Sequence, residues 1–141
     1  MRQIAAMGLL ESVSEILRAV PAIQAAEVHL DEKHGIDPAA GLRLFDPKST
    51  IRMLESNHEA EKLKRYLSTI DYETLLKLEA LMLFGRDRDA TFAEKVESCR
   101  RRKEARSDIV RTLLEKVPAC GRYFSDAVGR LLEEGADVNS L

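Results

Sequence analysis

Cys120-Gly-Arg-Tyr-Phe-Ser-Asp-Ala-Val-Gly-Arg-Leu-Leu-Glu-Glu-Gly135 is the stretch that decides the fold class. Its apolar members, Cys120, Tyr123, Phe124, Ala127, Val128, Leu131 and Leu132, recur at spacings of 3, 1, 3, 1, 3 and 1. A period near ~3.6 residues places them on one stripe of an α-helix, whereas a strand would want every second residue. Gly135 follows the last apolar pair and supplies a stop, and Pro118 separates this segment from the one before it. The spacing predicts a helix over Ala119–Glu134 whose stripe faces a core or a partner.

The same periodicity extends outward. Leu9, Val13, Ile16, Leu17 and Val20 lie at spacings of 4, 3, 1 and 3, which is one face of a helix from Arg2 to Val20. Pro21 fits the first position of a second helix, where its missing N–H costs nothing, and Gly35 ends that helix behind Lys33 and His34. A short strand pair of Glu27–Leu30 with Leu42–Phe45 is the competing reading of this region. Gly35, Pro38, Gly41 and Pro47 mark residues 35–50 as a loop, and Ser49 or Thr50 offers a cap for a third helix to about Leu67. Asp71 caps a fourth through Leu75, Leu78, Leu81 and Met82, ending at Gly85. Thr91-Phe-Ala-Glu94 has the form of a capping box and opens a long helix toward Val117, with a break expected around Ser107-Asp108. The sum is an all-α single domain, residues 1–141, of five or six helices in an irregular bundle.

Composition agrees with that picture. Charged residues make up 33% of the chain with signs interspersed, which suits helices with solvated outer faces. The formal charge of −2 gives the whole chain no pull toward nucleic acid or anionic lipid, so such a role would need a local patch. Cys99 and Cys120 stand in unrelated contexts without C-x-x-C spacing and read as small hydrophobes in a reducing compartment. The Met1–Ile4 start is too polar for a signal peptide, and no run approaches the ~18 apolar residues of a membrane helix, so a cytoplasmic, membrane-free protein is expected. Leucine-rich stripes with few aromatics favour completion of burial by pairing, hence a homodimer.

Three groups of residues are candidates for chemistry. Lys95–Lys116 holds eight basic and four acidic residues, and Arg100, Arg102, Lys103 and Arg106 form a candidate patch for phosphate or an acidic partner. Intrahelical pairs such as Glu97 with Arg101 compete for these cations. Asp31-x-x-His34 and Glu55-x-x-His58 place a carboxylate and an imidazole one helical turn apart, the spacing of di-iron bundles, but no inward glutamate pair completes the set, and no metal or cofactor is expected. Glu79 has Leu75, Leu76, Met82 and Leu83 around it, which predicts a buried ion pair with Arg86 as partner. Catalytic triads, phosphate-binding glycine loops and zinc spacings are missing, which argues against an enzyme.

Two resemblances add to this. Leu131-Leu-Glu-Glu-Gly-Ala-Asp-Val-Asn139 is similar to the end of an ankyrin repeat, with no second copy about 33 residues away. Leu67–Ile70, Leu78-Glu-Ala-Leu-Met-Leu-Phe-Gly-Arg86 and Tyr123–Gly135 together resemble a family of uncharacterised bacterial helical proteins that carry an A-L-x-x-x-G-R segment and a Y-L-E-E-G-like close. Glu79 stands where that family has an apolar residue, and Asp87 where it has a second glycine. The resemblance implies helices and a bacterial source, and no activity. The expected function is therefore a non-catalytic interaction or regulatory protein, with nucleic-acid association through residues 100–106 and carboxylate–histidine metal binding as alternatives.

Overall fold

The structure is a computed structural model that describes residues 2–36 and 55–136. Among the described residues there are six helices and no strand: α1 (Arg2–Lys33), α2 (His58–Thr69), α3 (Tyr72–Arg86), α4 (Phe92–Arg102), α5 (Arg106–Glu115) and α6 (Val117–Glu133). The expected all-α irregular bundle is the fold. Glu27–Leu30 is helical, which removes the strand pair; Leu42–Phe45 and the proposed caps Ser49 and Thr50 lie outside the described residues.

Most helix ends follow local chemistry. Asp71 accepts from the Thr74 amide at 3.0 Å, and Thr91 and Glu94 bond each other's backbone at 3.1 Å, completing the capping box. Gly35 (φ 67°) and Gly135 (φ 79°) take left-handed conformations, with Ile36 N donating to Asp31 O at 2.7 Å and Ala136 N to Leu131 O at 2.9 Å. Both ends are Schellman motifs, in which glycine avoids the Cβ clash that any other residue would meet.

Elsewhere the expectations need correction. Pro21 does not begin a second helix but lies inside one 32-residue helix. Its missing N–H leaves one carbonyl without a donor, yet Ile16, Ile23 and Leu30 continue a single buried heptad line across it, and that packing holds the two halves in register. α2 starts at His58, capped by Asn57, with Glu55 and Ser56 non-helical ahead of it. The Asn57 amide also donates to Ile23 O at 3.1 Å and Glu27 Oε1 at 3.0 Å, fastening the start of α2 to the middle of α1. The break in the 91–117 segment falls at Lys103–Ala105 rather than Ser107-Asp108, and Lys103 is left-handed at φ 52°.

α3 is the central helix. Leu75, Leu76, Leu78, Ala80, Leu81, Met82 and Phe84 are buried around nearly its whole circumference, which is the pattern of a helix covered on every side. It packs against α6, α4, α5 and α1. α6 answers with Cys120, Phe124, Ala127 and Leu131, α1 with Leu9, Val13 and Ile16, and α5 with Ile109, Val110 and Leu113. α4 covers a smaller cluster of Leu76, Ala80 and Cys99. Gly85 is not a stop. It lies within α3 where α6 crosses, so close that a Cβ there would stand 1.8 Å from Tyr123 O. Just beyond, Arg130 of α6 donates to the carbonyls of Phe84 and Asp87, and its guanidinium stacks 3.8 Å from the Phe84 ring centre. A cation there satisfies orphan carbonyls and meets the negative end of the α3 dipole.

Most leucines of these stripes are buried within the one chain, with Leu132 of the α6 stripe an exception. Among the described residues, the large apolar side chains left exposed are Val28, Tyr72 and Leu132. Likewise, no helix among those residues is long and apolar enough to cross a membrane.

Candidate functional site

The break between α4 and α5 decides where the basic residues go. Tyr72 Oη donates to Glu104 O at 2.7 Å, and Arg106 donates to Ile70 O, so the break is stitched to the α2–α3 turn. Arg100 forms a bidentate pair with Glu73 of α3 at 2.9 and 2.8 Å. Arg101 lies 3.6 Å from Glu97. Arg102, about half exposed, reaches the buried Glu79, and among the described residues only Lys103 of the expected patch Arg100, Arg102, Lys103 and Arg106 makes neither a side-chain hydrogen bond nor an ion pair. An incoming phosphate would therefore compete with carboxylates and carbonyls already in place.

Glu79 is buried as expected, at 2% exposure, but its cation is Arg102 of α4, whose Nη2 lies 3.3 Å from Oε1. Arg86 pairs instead with its neighbour Asp87 at 2.9 Å. Two helical turns separate Glu79 from Arg86, a rise of roughly 10 Å, whereas the packing of α4 on α3 brings Arg102 alongside. Glu104 joins the cluster with Oε1 3.6 Å from Arg102 Nε, a buried oxygen that has no hydrogen-bond partner among the described residues. Two carboxyls therefore share one guanidinium. Burial first, and then the Glu104 charge, raise the Glu79 carboxyl above the ordinary carboxylate range, with Arg102 opposing. The Cys99 thiol, 3.1 Å from Arg102 Nη2, is pushed up to about 11, chiefly by burial, and so is that of Cys120. Neither thiol is a thiolate near neutral pH, and both are free and buried.

The metal reading meets different geometry. Glu55 precedes α2, so Glu55 and His58 do not keep one-turn helical spacing, whereas His34 closes the last turn of α1 through its N–H to Leu30 O at 3.1 Å, one turn from Asp31. Glu55 is taken up by Lys33 at 2.5 Å and by His34 Nε2, hydrogen bonds that hold its carboxyl down at about 2. His58 and His29 line the same cavity as Glu55, about 350 Å³ in volume, but no three histidine, cysteine or acidic residues gather to hold a metal ion among the described residues. Glu79 has its own partners on α4 and does not join His34 and His58.

A larger groove, about 520 Å³, lies between α2 and α5. Its floor is Val110, buried, and Leu114, half-buried, one turn apart on α5. Lys64 and Ser68 form one wall; Arg106, Ser107, Arg111 and Glu115 form the other. The volume is in the range of about 300–1,000 Å³ typical of binding pockets. Arg106 is the one groove residue that sequence reasoning picked out. The others carried a weak signal, since Arg106, Val110 and Leu114 repeat every fourth residue on one face, as Lys64 and Ser68 do on the other helix. Expecting a break at Ser107-Asp108 divided that row. Comparison with family models, with curated proteins and with solved structures gives no match.

Proposed function

We propose that this chain is a non-catalytic helical interaction protein and that the α2–α5 groove is where it engages a protein partner. The observation that carries the proposal is the groove itself: a cavity of about 520 Å³ whose floor, buried Val110 and half-buried Leu114, leaves Leu114 partly open beside a central helix whose own surface is covered. The titratable cluster that would otherwise suggest chemistry supports the same view. Glu79 is sealed from solvent, and the nearby thiol is held protonated, so neither is presented to a substrate. We assign the protein to the cytoplasm on its composition and its two free buried thiols.

Site-specific photo-crosslinking in the source cells tests this. A photoreactive amino acid at Ser68 or Ser107, both exposed in the groove walls, is expected to trap a discrete protein adduct, while the same group at exposed Ser125 of α6 traps none. Equal labelling from all three positions, or none from the groove, would remove the proposal.

A further inference from the structure

We infer that the α2–α5 groove accepts an acidic amphipathic helix from another protein, its apolar stripe on Val110 and Leu114 and its carboxylates on Lys64, Arg106 and Arg111. The inference rests on the groove being the interaction site. The charge balance of the walls points to the sign of the partner. Lys64, Arg106 and Arg111 meet one lining carboxylate, Glu115, and the Asp108 carboxylate beside Arg111, so three cations face two anions on a chain whose formal charge is −2. Lys64 makes no ion pair among the described residues. Arg106 spends one N–H on the neutral Ile70 carbonyl and has the Asp71 carboxylate within electrostatic reach but no ion pair among the described residues. Arg111 is the most engaged, at 3.0 Å from Asp108 and 3.9 Å from Glu115, yet it is exposed and its partners stand on its own helix.

The floor points to the rest of the partner. A bare phosphate or a nucleic-acid backbone gains nothing from half-buried Leu114, whereas a helix with apolar residues at i, i+3, i+4 and i+7 covers it above the already buried Val110. Two neighbouring helices leave between them the furrow into which the ridge of a third can settle. Charge at the rim then sets orientation and encounter rate, and apolar contact at the floor sets residence time.

The test is fluorescence anisotropy with the full chain and labelled model peptides of about five helical turns, each with a leucine stripe and flanks of Glu, Gln or Lys. The Glu peptide is expected to bind with affinity that falls as salt rises. Binding should weaken at least about tenfold in a double variant Lys64→Glu, Arg111→Gln, and stay unchanged in Arg101→Gln, whose cation pairs with Glu97 outside the groove. The inference is overturned if the Gln or Lys peptide binds as tightly, or if the double variant and Arg101→Gln behave alike. It is also overturned if size-exclusion chromatography with light scattering shows a dimer that Leu114→Asn dissociates, since the occupant is then a second copy. Any of these outcomes alongside adducts from Ser68 and Ser107 condemns the acidic helix and leaves the groove as the interaction site; loss of those adducts as well condemns both.

Discussion

Replacing Gly85 by alanine sets a methyl group against the backbone of α6. The added Cβ would lie 1.8 Å from Tyr123 O, 2.7 Å from Tyr123 C and 3.1 Å from Ala127 Cβ. Non-bonded carbon contacts settle near ~3.5 Å, so the helices must separate by roughly 1.5 Å at this crossing. No rotamer change relieves it, because the obstacle is main chain. Separation would loosen Phe124 and Ala127 from α3 and pull Arg130 from the carbonyls of Phe84 and Asp87. Overpacking of this kind costs about 3 kcal/mol or more, against which alanine returns about 1 kcal/mol of helix propensity. The net expectation is a loss of at least ~2 kcal/mol, or a fall of roughly 6–8 °C in Tm for a chain of this size. Gly129, also in α6, has nothing within 4 Å of its would-be Cβ, so Gly129→Ala should gain about 0.5–1 kcal/mol. Urea and thermal unfolding followed by circular dichroism measure both. If Gly85→Ala matches wild type or is stabilised like Gly129→Ala, the close crossing of α3 and α6 is wrong.

Three further substitutions probe other parts of the account. Glu79 titrates above its ordinary value of 4.5, so between that value and its raised one the folded chain holds a proton the unfolded chain has released, and stability declines as pH rises through that window. Glu79→Gln should abolish that decline and leave the protein at least as stable as wild type at pH 8; urea titrations at pH 5 and 8 showing the same decline in both proteins would contradict it. Lys103→Gly, at the left-handed break, relieves about 1–2 kcal/mol of steric cost and adds ~0.5–1 kcal/mol of unfolded-state entropy, so a net gain of roughly 0.5–1 kcal/mol is expected in chemical denaturation, and a loss would place the break elsewhere. Asn57→Ala removes the α2 cap and two bonds to α1, so it should cost about 2 kcal/mol and speed amide hydrogen exchange in the first turn of α2; unchanged exchange there would refute the anchoring role.

What could be read from the chain follows the range of the interaction. Asp71, the Thr91–Glu94 box, Gly35 and Gly135 act within four or five residues and were legible. Pro21 misled because its local signal outweighed the heptad line Ile16, Ile23 and Leu30, which only matters once α2, α3 and α6 are present to cover it. The break at Lys103 has no compositional mark: a lysine takes the left-handed turn because Tyr72, Arg106 and the Glu79–Arg102–Glu104 cluster hold the segment from outside. Burial of Glu79 was legible from its neighbours on α3, but its partner comes from another helix. The groove was hardest to see, since its walls lie on helices some forty residues apart and local periodicity does not report their meeting.

Chemical-shift mapping on the isotope-labelled full chain, titrated with the Glu-flanked peptide, tests the central claim most directly. The account predicts shifts concentrated on the amides of Lys64, Ser68, Val110 and Leu114, saturating together as one site. Shifts centred on Arg100–Lys103, or around Glu55 and His58, would contradict it and move the functional surface to the basic turn or to the α1–α2 end.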